Sequence, residues 1–138
     1  MCALALGALG SPKNPVERPN KLQGQFTIAL NLITGTWVYE GFGVNTHAGR
    51  FTSHATGYLD AAGNLVGGGT AVGANGDQIF WSAPGSIWHV EYAGGTGRFE
   101  HVTGGWEFVT ETLTETRVNP DGTMSMTYAY TGEGTVTY

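Results

Sequence analysis

The sequence predicts an all-β fold: a closed antiparallel barrel of about eight strands in meander order. Three observations carry this. Tight-turn residues recur at short intervals from residue 23 onward, and 23 of the 138 residues are glycine. The segments between the turns alternate apolar and polar side chains, the period of a strand whose two faces differ. No window sustains the apolar repeat of a helix. Closing such a meander removes the edge strands that would otherwise aggregate, and a barrel of this strand number is wide enough for one small ligand.

Length and composition bound the rest. A chain of 138 residues has room for one core. Hydrophobic residues make up 41% and aromatic residues 12%, so a core can form although only 12% are charged. The net charge is −5 and the six cations (Lys13, Arg18, Lys21, Arg50, Arg98, Arg117) are scattered. A nucleic-acid groove needs clustered cations, so no nucleic-acid partner is expected. Cys2 is the only cysteine, which excludes a disulfide within the chain and a cysteine zinc site. No stretch is long enough to span a membrane as a helix.

Residues 1–22 read as an arm. Residues 2–10 form a short apolar run ending in small residues, either a signal-peptide remnant or a terminus that packs on the domain. With the low lysine content and abundant Gly and Thr, this leans towards a secreted or periplasmic protein. Ser11 to Asn20 holds three prolines, which argues against a central strand or a helix interior. Residues 23–138 are the barrel domain.

The hairpins can be registered from their turns. A two-residue loop at Thr34-Gly35 places Phe26, Ile28, Leu30, Leu32, Trp37 and Tyr39 on one buried face. Asp60 to Asn64 reads as a turn with a glycine bulge at Gly63, pairing Tyr58 with Val66. Asn75-Gly76 reads as a two-residue hairpin loop, pairing Val72 with Ile79 and Thr70 with Trp81. One face of this 50–82 meander then carries Arg50, Thr52, His54, Tyr58, Val66, Val72, Ile79 and Trp81. The other carries Phe51, Ser53, Ala55, Leu59, Leu65, Ala71 and Phe80. Both are partly apolar, and the bulkier first face is expected inside.

Between Ile87 and Glu107 the chain enters a turn with Gly94, Gly95 and Gly97 and reaches another at Gly104-Gly105. Glycine alone adopts positive φ without cost, so this is a chain reversing tightly between strands. Phe99, the one large apolar residue between the two turns, is expected to plug the crossing into the core. The last hairpin turns at Asn119 to Thr123, with Pro120 fixing the turn and Gly122 the bulge. It pairs Val118 with Met124, Thr116 with Met126, Thr114 with Tyr128 and Thr112 with Tyr130. Thr110, Thr112, Thr114 and Thr116 are thereby expected to face inward with Trp106 and Phe108.

Three blocks carry a family resemblance. They are Thr46-His47-Ala48-Gly49-Arg50-Phe51-Thr52, Ala74-Asn75-Gly76-Asp77, and Gly94 to Phe99 followed by Gly104-Gly105. The glycine crossing resembles the corresponding segments of plant dirigent proteins and allene oxide cyclases. The three blocks together resemble uncharacterised exported bacterial proteins of the same barrel type. The resemblance implies an allene oxide cyclase/dirigent-like barrel. It also implies cyclisation or isomerisation of a small molecule in the interior, with no metal or organic cofactor. No catalytic motif of the family can be placed here residue by residue.

The chemistry-bearing candidates follow from the expected faces. Arg50, His54 and Tyr58 lie on one strand face with Trp81. Pointing inward, they would offer an anchor for an anion, an acid or base near neutral pH, and a phenol. The competing reading is a solvated outer face with Arg50 paired to Asp77. The threonine ladder opposite Met126, Tyr128 and Tyr130 would line a cavity with hydroxyls, and Trp37 and Tyr39 would complete it. The competing reading is threonine chosen for strand propensity. The catalytic candidates are therefore His54, Tyr128 and Arg50. The ligand-binding candidates are Trp37, Tyr39, Tyr58, Trp81, Thr112, Thr114, Met126 and Tyr130.

The four histidines (His47, His54, His89, His101) form no metal-binding motif, and no metal ligands are assigned. Glu40 and Glu107 fall outside the barrel, against a glycosidase-like carboxylate pair. Two functions remain. One is a barrel binding a small, largely apolar molecule, either as a plain binder or as a cofactor-free isomerase or cyclase. The other is an exported, non-catalytic binding or interaction protein with a packed barrel. Both leave room for a homo-oligomer.

Overall fold

The computed structural model describes residues 16–138. The reading of residues 2–10 as a signal remnant lies outside them. Eight antiparallel strands follow one another around a closed barrel: β1 (Glu17–Asn31), β2 (Thr36–Asn45), β3 (Gly49–Leu59), β4 (Leu65–Val72), β5 (Gln78–Ala83), β6 (His89–Gly95), β7 (Thr103–Val118) and β8 (Thr123–Thr137). β8 returns to pair with β1 along its whole length and closes the ring. No helix among the described residues is long and apolar enough to cross a membrane.

The barrel begins at Glu17 rather than at 23, so Pro19 lies inside a strand. It is tolerated because β1 has one ladder neighbour there: pairing with β2 starts only at Leu22. The Pro19 carbonyl bonds to His47 Nε2 at 2.7 Å, away from β8. The missing N–H therefore falls on the same unpaired side.

The first turn is longer than two residues. Asn31 Oδ1 accepts the backbone N–H groups of Ile33 and Thr34 at 2.9 and 3.1 Å, and Gly35 adopts a φ of 72°. The loop therefore spans residues 32–35, and Leu30 faces Trp37 while Ile28 faces Tyr39. The shift is by an even number of residues, so the buried face survives. Leu32 leaves that face and is exposed in the loop. The Asp60 turn forms as read: the Asp60 N–H donates to the Asn64 carbonyl at 2.9 Å, Gly63 has a φ of 85°, and Tyr58 pairs with Val66.

The Asn75-Gly76 turn corrects the sequence reading. Gly73 N–H donates to the Asp77 carbonyl at 2.9 Å and Gly76 N–H to the Gly73 carbonyl at 3.0 Å, closing a three-residue loop with Gly76 at a φ of 90°. Val72 now faces Gln78, and Gly69 faces Trp81. This one-residue slip puts Ile79 and Trp81 on the same face as Phe51, Ser53, Ala55 and Ala71. That face is the interior, and Arg50, His54 and Tyr58 are outside and exposed. The physical reason is volume. Trp37 of β2 and Trp81 of β5 flank β3 and β4 in the lumen, so most inner positions of those two strands there are small: Ser53, Ala55, Gly57, Gly67, Gly69 and Ala71. Trp37 lies over Gly57 and Gly67, and a Cβ on Gly67 would sit 2.8 Å from its ring.

Phe99 is completely buried, at the end of a single 3-10 turn (Gly97–Phe99), and packs edge-on against Tyr138. Positive φ at Gly94, Gly97 and Gly104 makes the crossing possible. The last hairpin keeps Val118 opposite Met124 and Thr116 opposite Met126. Bulges between Leu113 and Glu115 and between Phe108 and Thr110 then change the pairing: Leu113 faces Tyr128 and Glu111 faces Tyr130. Thr110 and Thr112 thereby turn outward, and the threonine ladder is on the surface rather than in the lumen. β6 pairs with β7 only at Gly105, Trp106 and Glu107, so β7 from residue 109 onward has β8 as its sole neighbour.

Candidate functional site

The interior has an apolar layer and a polar layer, and each comes from inward positions of known strands. In the apolar layer Phe26 stacks on Tyr39 and Tyr128 at ring-centroid distances of 4.8 and 5.2 Å. Phe108 meets Phe26 edge-on at 5.8 Å, and Trp106 stacks on Tyr130 at 5.4 Å. Tyr39 reaches Trp81 at 5.5 Å, so the rings of β1, β2, β5, β7 and β8 form one connected cluster. The cluster meets solvent through Trp88, which lies in the β5–β6 connection, is 37% exposed, and packs edge-on against Phe108 at 4.9 Å.

The polar layer centres on Asn20, Asn45 and Tyr92. The Asn45 amide is fully used. Its Oδ1 accepts the N–H groups of His47 and Ala48 at 2.7 and 3.0 Å. Its Nδ2 donates to Asn20 Oδ1 at 2.9 Å and to the Tyr92 hydroxyl at 3.5 Å. Asn20 Nδ2 donates to the same hydroxyl at 2.9 Å and to the Gly105 carbonyl at 3.2 Å. Both bonds reaching the Tyr92 oxygen are thus donated by amides, which leaves the phenol proton to point elsewhere. Nearby, the Trp81 indole donates to Ser53 Oγ at 3.0 Å.

Tyr39, Tyr92, Tyr130, Asn45, Ser53 and Trp81 line a cavity of about 30 Å³. A water needs roughly 10–15 Å³ measured this way, so the space suits about two waters. Small-molecule sites run to roughly 300–1,000 Å³. Burial pushes the Tyr92 phenol up to about 12, against the hydrogen bonds from Asn20 and Asn45 that lower it. Burial raises Tyr39 and Tyr130 as well; the charge of a neighbouring phenolate adds to both, and their mutual hydrogen bond raises Tyr39 while lowering Tyr130. All three are therefore neutral near pH 7, and Tyr92 serves there as the acceptor of two amide N–H groups.

Of the residues singled out from the sequence, Trp37, Tyr39, Trp81 and Tyr130 are interior and buried. Met126 and Tyr128 pack against this core and are half-buried. Arg50, His54, Tyr58, Thr112 and Thr114 are exposed and do not reach it. His54 Nε2 lies 3.6 Å from Glu40 on the outer wall. Asp77 lies 3.6 Å from Arg98, not from Arg50. His47 Nε2 must donate to the Pro19 carbonyl, so its Nδ1 accepts the Tyr138 hydroxyl at 2.9 Å. Among the described residues no three His, Cys, Asp or Glu side chains are grouped as metal ligands.

Sequence reading missed Asn20, Asn45, Ser53 and Tyr92, while Trp106 faces inward as read. Asn20 fell within the proline-rich stretch assigned to the arm. Asn45 carried a usable signal: an asparagine just before the Thr46–Ala48 turn is placed to cap that turn, which it does. No family model matches the chain, and no curated protein or solved structure matches it.

Proposed function

We propose that this protein is a non-catalytic binding or interaction protein, in which the packed barrel is a scaffold and the outer surface meets the partner. The observation behind this is the size of the interior cavity. Space for about two waters is an order of magnitude below what an organic ligand needs. The histidine, arginine and threonine side chains that would have supplied reactivity lie on the outside. Titration with anilinonaphthalene sulfonate, an apolar fluorescent probe, tests the reading. The expected outcome is no saturable binding and no change in emission from the buried tryptophans. Stoichiometric binding with quenching of Trp37 or Trp81 would overturn it.

One observation favours a second reading, a barrel that binds a small apolar molecule and isomerises or cyclises it. The most exposed ring of the cluster, Trp88, lies on a connection rather than a strand. Outward rotation of that ring would open a slot onto Phe26, Phe108 and Tyr128. The resemblance to allene oxide cyclase/dirigent-like barrels, with export from the cell, belongs to this proposal as well.

A further inference from the structure

The outer wall of β2 to β5 gathers five of the eight exposed large apolar side chains that the described strands carry: Val38, Phe42, Val44, Tyr58 and Phe80. Its side chains run in rows across the ladder. Val44 is beside Arg50, Phe42 beside Thr52 and Val72, Glu40 beside His54 and Thr70, and Val38 beside Thr56 and Gly68. Phe42 is 56% exposed, Tyr58 55%, and Val38 and Val44 47% each. With Phe80, Val66 and Val72 the exposed apolar area is on the order of 500 Å², near the upper end for the largest patch of a monomer. Gly68 adds no side chain to its row, and a groove beside Phe42, Val44, Thr52 and Val72 indents the wall towards the end of β4.

We propose that this wall is where a second copy of the same chain docks, face to face about a two-fold axis. The charge pattern selects that occupant. Glu40 and His54 are cross-strand neighbours 3.6 Å apart, both well exposed, in the middle of the apolar rows. A two-fold axis lying in the interface, parallel to β2 and β3 and between them, exchanges the two strands. It sets each Glu40 over the other copy's His54. Phe42 then covers the other copy's Thr52, and Val38 its Thr56. A two-fold perpendicular to the strands would instead stack Glu40 on Glu40, a like-charge contact. Self-complementarity of this kind is the mark of an isologous interface. The apolar area suits the core of a standard interface of about 800 Å² per partner, with Arg50 at a solvated rim.

This inference deepens the reading of an outward-acting barrel. Sedimentation equilibrium of the full chain, from low to high micromolar, tests it. The expected mass rises to that of two chains. Phe42→Asp should raise the dissociation constant by a factor of at least about 10, because it buries an unpaired charge at the patch centre. Glu40→Arg should weaken the dimer, and the exchange of Glu40→His with His54→Glu should restore it. Leu113→Asp, on β7 away from the wall, should change nothing. A monomer at every concentration, three or more chains, or a dimer indifferent to Phe42→Asp would overturn the proposal. A monomer that also binds no anilinonaphthalene sulfonate would reject the dimer and leave the packed barrel standing.

Discussion

Among the glycines, Gly57 lies closest under the Trp37 ring. A Cβ there would collide with the Val66 carbonyl and with the Trp37 ring, neither of which can step aside without moving a strand. Gly57→Ala is expected to cost about 1–3 kcal/mol, the usual price of overpacking, read as a lower urea midpoint. Gly85 faces open space, and Gly85→Ala should change stability by less than about 0.5 kcal/mol. The three buried phenols give a pH prediction. A phenol whose pKa is raised by folding holds its proton more tightly in the folded state than in the unfolded one. Its contribution to stability is complete below the ordinary value of 10 and is lost as pH rises towards about 12 for Tyr92. Unfolding in alkali should therefore coincide with a cooperative rise in phenolate absorbance. Gradual ionisation of all the tyrosines in a folded barrel would contradict it.

The elements were legible where a turn had one geometric solution. Asp60 to Asn64 and Asn119 to Thr123 each close as glycine-bulge turns, and their nearest pairs stand as read. Asn75-Gly76 has two solutions. It can be a two-residue loop, or the last two residues of a three-residue loop with Gly76 in the left-handed region. The second is adopted, and a one-residue difference turned a whole meander inside out. The β7 bulges were illegible for a related reason, since Val109 and Thr114 look like their neighbours in an alternating threonine run. Their position explains their presence. They sit where β7 loses β6 as a partner, and with Glu111, Glu115 and Arg117 they blunt an edge that would otherwise invite pairing.

At the scale of the molecule, strand number and meander order followed from turn spacing, whereas the contents of the barrel did not. Side-chain bulk on one strand pair says little about which face is inside when Trp37 and Trp81 fill the lumen from other strands. The aromatic half of the expected site was legible for Trp37 and Tyr39 because β2 alternates cleanly, whereas Trp81, on a strand of six residues, is interior with other neighbours than its expected pairing gave. The polar half depended on registers across the lumen, and Asn20, Asn45 and Tyr92 come from three different strands. The central claim is that the lumen is packed and the outside does the work. Native mass spectrometry of the protein as purified, before and after denaturation, tests it most directly. The account predicts the bare mass of the chain or of its dimer, with nothing released on denaturation. A small organic mass carried by the folded chain and lost on unfolding would contradict it and return the function to the barrel interior.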